Sequence, residues 1–189
     1  MEISGMRFSE LTEREMTREQ LSIYQDICSG PRGGFRGPMH MLIRSPEFAQ
    51  LASRLGEYVR YRSSLVPRIS ELAILIAARY WTAQFEWYVH AAHAAKAGLA
   101  TDVILQLAQG KRPVSMASDE SAAYDFCSEL HYNKSVSDKA FDSATNHFGE
   151  NGVVDLMGIS GYYTLISMAV NLNKQPLPYG ISPPLAPLQ

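Results

Sequence analysis

Glu86, His90 and His93 fall at i, i+4 and i+7, a spacing that sets all three side chains on one side of a helix. Glu71 stands one predicted helix earlier, with Arg68 a turn before it. These residues lie inside RISELAILIAARYWTAQFEWYVHAAHAAKAG, Arg68 to Gly98, which is otherwise aliphatic, aromatic and alanine-rich. If the two helices form an antiparallel hairpin, Glu71 meets the histidine face. A carboxylate beside an imidazole fixes its tautomer and orients the ring, which is what a general acid or base requires.

The same residues admit two plainer readings. Glu71 and His90 could form a structural pair in a non-catalytic helical oligomer, or Glu71, Glu86, His90 and His93 could ligate a metal. The spacing matches neither HExxH nor a paired ExxH, so no metal is expected. Ser63, Ser64, Ser70, Cys28 and Cys127 sit in no nucleophile elbow or dyad, and GPRGGFRG lacks the GK[ST] and preceding strand of a phosphate loop.

The elements that must position this group are all helical. Thr17 with Gln20 reads as a capping box opening a helix that Gly30 ends. GPRGGFRGPM is a connector whose Arg32 and Arg36 could reach a neighbouring site. Pro46 and Pro67 stand at first helical positions, and the second of these helices is apolar enough to be buried on most sides. Gly98 closes the helix of His90, Thr101-Asp102 caps a short one, and Ser118 and Ser137-Asp138 open two more, the latter stopped by Gly149. The last apolar segment carries Gly158 and Gly161 at a spacing that admits close approach. The tail QPLPYGISPPLAPLQ, residues 175–189, is too proline-rich for a regular helix or central strand. The expected class is all-α, a multi-helix bundle of seven or eight helices in one domain over 1–189, with 1–45 as an N-terminal arm.

Composition bounds the partners. A chain of 189 residues with 46% hydrophobic and 19% charged residues is long enough for one real core and is not a disordered composition. A net charge of -2 gives no basic footprint for nucleic acid or an anionic membrane. Two distant cysteines with no CxxC imply reduced thiols. No signal peptide is visible, and no window approaches the about 18 consecutive apolar residues of a membrane span, so a cytoplasmic protein is expected.

RISELAILIAA, followed by a helix carrying Glu86-Trp-Tyr-Val-His90, Gly98 eight residues later, and the capped helix LATDVILQLAQG, resembles the carboxymuconolactone decarboxylase family. The likeness is best over Leu65 to Gly110, and FGENGVVDLMGISGYYTLISMAVN is similar to that family's closing helix. Alkyl hydroperoxidase D-like members carry CxxCxxxH. Setting that histidine on His90 puts the two cysteines on Ala83 and Glu86, and both thiols are missing, which disfavours peroxidase chemistry. The decarboxylase-like members have glutamate four before the histidine, as Glu86 stands here. The resemblance implies a helical trimer or hexamer, with a dimer also open, acting without a cofactor on a small carboxylated lactone or related acid. This chain is longer than the short decarboxylases, with added helices between Lys111 and Gly149 that could reshape the pocket.

Decarboxylation needs an electron sink in the substrate, an anchor for its carboxylate and an acid to protonate the resulting carbanion. His90 is the expected proton donor, and Glu71 and Glu86 its orienting partners. Arg68 or Arg62 is the expected anchor, Trp81, Trp87 and Tyr88 line a dry pocket, and His93 faces the substrate beside His90. Tyr162, Tyr163 and Asn171 are candidates for a second wall.

Overall fold

The computed structural model describes residues 5–31 and 33–187, and Arg32 lies outside the described residues. Among the described residues there is no strand, and the class is all-α. The helices are α1 (Arg18–Ser29), α2 (Met39–Leu42), α3 (Pro46–Tyr61), α4 (Pro67–Tyr80), α5 (Gln84–Lys96), α6 (Thr101–Ala108), α7 (Ser118–Tyr132) and α8 (Asp138–Asn173). Local sequence explains most boundaries. Thr17 accepts from Gln20 N while Gln20 returns the bond to Thr17 N, and Pro46 and Pro67 open α3 and α4. Thr101 and Ser118 are first helical residues, so Ala100 and Ala117 take the capping positions expected of neighbouring polar side chains.

α4 is the axis of the molecule and packs against α5, α7 and α8. Every residue from Ile69 to Arg79 is buried except Glu71. A run such as LAILIAA, apolar all round, is stable only where other helices cover each side. One contiguous core extends from Ile23 to Leu185. The segment expected to be an arm joins it, because Ile23, Ile27, Met39, Leu42 and Ile43 are all buried, and Met39–Leu42 makes a one-turn helix that the glycines and prolines before it obscured.

The segments on either side of Gly149 run as α8, but Gly149 has φ 66 and ψ 177 and breaks the helix where a stop was expected. α8 is long and apolar enough to cross a bilayer by length and mean composition, with a window of mean hydropathy 1.4, yet 61% of that window is buried inside the fold, as in a core helix. A side chain at Gly158 or Gly161 would meet nothing within 4 Å, so neither is needed for close approach within this chain.

The turn between α4 and α5 sets the hairpin. Ala83 N donates to Ala78 O at 2.8 Å and Thr82 N to Arg79 O at 3.0 Å, the paired bonds of a Schellman stop. The left-handed position belongs to Thr82, at φ 47, where glycine is usual. Gly98 fills the equivalent position after α5 at φ 94, with Leu99 N donating to Ala94 O.

Candidate active site

The hairpin brings Glu71 and His90 together. His90 Nδ1 lies 2.7 Å from Glu71 Oε2, and His90 Nε2 lies 3.5 Å from Glu86 Oε2. The three side chains are 4%, 13% and 6% exposed for His90, Glu71 and Glu86. A carboxylate is buried this deeply only with partners, and the imidazole supplies them. With Nδ1–H donating to Glu71, the tautomer leaves Nε2 as the nitrogen that exchanges a proton.

Glu86 and His90 line a cavity of about 370 Å³. α5 supplies one wall with Phe85, Val89 and His93; Tyr162, Tyr163 and Ile166 of α8 form the facing wall. The Gly34–Met39 connector and the end of α3, with Arg60 and Tyr61, complete the rim. Gly37, at φ 57, is required there: a Cβ would stand 2.9 Å from Phe85 Cε1.

Tyr163 is set edge-on to the His90 ring at 4.9 Å. Burial pushes its phenol well above the ordinary tyrosine value, and Glu86 and Glu71 push the same way against Arg60. Tyr163 therefore stays a neutral hydroxyl in the wall. The His93 imidazole is held below its ordinary value by burial, reinforced by His90, Arg60 and Lys96 and opposed by Glu71. It is neutral more readily than a free histidine, and its ring lies 5.7 Å from that of His90.

The expected anchors lie elsewhere. Arg68 points to α7, where Asp119 takes it at 2.7 Å and Glu120 closes a second ion pair, so its guanidinium is already neutralised. Glu120 also accepts from Ala117 N, which fixes the start of α7. Arg62 is 60% exposed and pairs with Glu57 at 3.7 Å. Neither reaches the cavity wall; Arg60 and Arg36 do. Arg60 makes no ion pair among the described residues and sits 5.2 Å over the Tyr61 ring. Arg36 falls in the connector the sequence had marked.

The aromatic residues divide in the same way. Trp87 is in the core, Tyr88 faces solvent, and Trp81 donates to Thr164 Oγ1 on α8 at 3.3 Å, away from the cavity. Tyr162 and Tyr163 do form the second wall, while Asn171 donates to Trp81 O at 2.8 Å and stabilises the end of α4 instead. The reason is helical phase: buried positions on α5 are Glu86, Trp87, His90 and Ala94, and only part of that arc opens on the cavity. Arg60 and Phe85 went unrecognised in the sequence; Arg60 lies on the penultimate residue of α3, and no local spacing ties it to His90.

Among the described residues no three His, Cys, Asp or Glu side chains converge as a metal site. No thiol lines the cavity. Cys127 is fully buried beside Ser160, and burial pushes its thiol up to about 12. Cys28 is half-buried near α1's end and unbridged.

This arrangement of helices belongs to the alkylhydroperoxidase D-like fold. A crystal structure of an alkylhydroperoxidase D core protein from Ralstonia eutropha JMP134, described as an uncharacterized peroxidase-related protein, superposes with a TM-score of 0.71 over 88% of each chain at 14% identity. No family model matches the sequence. No curated protein matches it either. At that identity the likeness defines the fold, and the chemistry must be argued from the side chains.

Proposed function

We propose that the chain is a cofactor-independent lyase that decarboxylates a small unsaturated carboxylic acid or carboxylated lactone by Glu/His acid-base chemistry. The observation that carries this reading is His90, clamped at Nδ1 by Glu71 and facing Glu86 with Nε2, at the wall of a cavity that two arginines also line. Arg60 and Arg36 hold the substrate carboxylate. Heterolysis of its C–C bond releases CO2 and leaves the electron pair in the substrate's conjugated carbonyl system. Protonated His90 then delivers the Nε2 proton to carbon, and Glu86 and His93 return a proton from solvent. Glu71 holds the ring through both states, and Tyr162, Tyr163 and Phe85 exclude water. Ala83 and Glu86 stand where the peroxidase motif needs thiols, and no cysteine lines the cavity, which disfavours thiol peroxidase chemistry here.

The test is turnover of small unsaturated lactone acids, read as CO2 release. His90→Gln and Glu71→Gln should each lower kcat by about 10²- to 10⁴-fold, the usual contribution of a positioned acid or base. Arg60→Met should raise KM, whereas Arg68→Met should cost stability and leave KM unchanged. Turnover that survives His90→Gln would sink the assignment.

A second reading, a helical oligomer with a structural Glu–His pair, has its own observation. Leu51 and Leu55 on α3 and Val154, Met157, Met168 and Leu172 on α8 are each 47–59% exposed, large apolar side chains that a second copy could cover. We propose self-association through this face in either case. Loss of assembly in His90→Gln, with no turnover in the wild type, would favour the structural reading.

A further inference from the structure

The buried run of α4 also carries Arg79, which faces α6 and α7 where Glu71 faces α5. Arg79 is 4% exposed, and neither its Nε nor its Nη1 has a hydrogen-bond partner. Beside it lies a cavity of about 60 Å³ between α4, the end of α6 and α7. Ser128, Lys111, Tyr124 and Tyr132 line it, with Ile76 and Leu107 as apolar wall. Ser128 Oγ is also buried without a partner. The wall thus has two cations, three hydroxyls and no carboxylate. Asp125, on α7 next to Tyr124 of this wall, is bound at both oxygens by Arg112 at 3.0 Å.

A buried guanidinium with orphaned donors is strongly unfavourable unless something compensates it. Burial pushes Arg79 below its ordinary value, and only the Tyr132 phenol opposes it. Arginine stays charged under all ordinary conditions, so a bound anion would satisfy both its charge and its orphaned donors. The volume suits one ion and excludes a metabolite of several rings.

We propose that this cavity binds one small anion, no larger than inorganic phosphate, held by Arg79 with Lys111 and the Ser128 hydroxyl. The site is separate from the His90 cavity, since the two share no wall residue.

The experiment is a titration of the full chain with sodium phosphate and, separately, sodium chloride, at ionic strength held constant with gluconate, a bulkier anion of lower charge density. Thermal midpoint and calorimetric heat are the readouts. A saturable rise with either ion is expected, and its half-saturation should move about tenfold in Lys111→Met, the typical effect of losing one charged hydrogen bond. Ser128→Ala should weaken it by less. Arg79→Met should abolish it and melt no lower than wild type in gluconate alone. If Arg79→Met does not fold, the surface substitution Lys111→Met still decides. No saturable rise, or one of equal size and midpoint in wild type and Lys111→Met, overturns the proposal.

Discussion

Asp155 is the polar pin that sets the rim of the His90 cavity, and replacing it with alanine should destabilise the whole fold. It is 3% exposed on α8 and accepts three hydrogen bonds: Ser64 N at 2.7 Å, Ser64 Oγ at 2.7 Å and Tyr58 OH at 2.9 Å. Those donors bracket Arg60 and Tyr61, so the pin fixes the end of α3 that carries the cavity's unpaired cation. A hydrogen bond to a charged group contributes about 1.5–3 kcal/mol, and three that share one acceptor do not add fully. Ser64 and Tyr58 reach the surface, where water can satisfy them after truncation, so Asp155→Ala should cost about 2–4 kcal/mol. For a domain of this size that is a drop of about 5–15 °C in Tm.

Urea unfolding of wild type and variant, with m unchanged, measures this directly. The pH dependence supplies an independent check. Burial pushes the Asp155 carboxyl up, but the Ser64 amide, the Ser64 hydroxyl and the Tyr58 hydroxyl together outweigh it and hold the group below its ordinary value. A depressed carboxylate contributes stability that is present above the unfolded value, about 4, and lost as pH falls through the folded one. Wild-type and Asp155→Asn stabilities should therefore differ at pH 7 and converge below pH 4. A variant within about 0.5 kcal/mol of wild type at pH 7, the scatter of ordinary surface substitutions, refutes the pin.

Three further predictions rest on separate observations. Burial, with Lys134 second, pushes the His131 imidazole down to about 4, so between about 6.5 and about 4 the unfolded chain binds a proton the folded one refuses. Wild-type stability should fall by about 3 kcal/mol across that window, and His131→Phe, which keeps the stack on Tyr80, should remove most of that slope in chemical denaturation. Thr82→Gly should raise Tm by about 1–4 °C, because relief of a left-handed β-branched residue, about 1–2 kcal/mol, exceeds the added chain entropy of glycine; a lower Tm contradicts the strain. Ellman's reagent at pH 8 should modify Cys28 and spare Cys127 in the folded protein, and equal rates at the two thiols would show that the Cys127 environment is open.

The parts of the site that were legible in the sequence are those a single hairpin encodes. Glu86 and His90 share a face by spacing alone, and Gly98 and Pro67 mark where their helices stop and start, so the Glu71–His90 contact needed only one antiparallel turn. Arg68 shows the limit of that reasoning. One turn from Glu71, it looked like an anchor, but its partners Asp119 and Glu120 come from a helix some fifty residues later, and no local pattern announces a pairing across α4 and α7. Arg60 went unseen for the converse reason. Its neighbours Glu57 and Arg62 pair with one another, and only the packing of α3 beside α8 turns it towards His90.

The burial of α4 ties these observations together. In a helix covered on almost every side, a polar residue is tolerated only where a partner waits, and α4 keeps three inside or beside the buried run: Ser70, Glu71 and Arg79. Glu71 finds His90, which makes the proposed acid-base pair the compensation for a carboxylate that the fold would otherwise exclude. Arg79 finds no ion-pair partner among the described residues, and the same requirement directs an anion to it. The peroxidase-related structure shares this fold at 14% identity, so one arrangement of helices accommodates two largely different sets of side chains. On a shared fold the chemistry is set by the polar side chains that line the cavity, among them Glu86, His90 and His93 here.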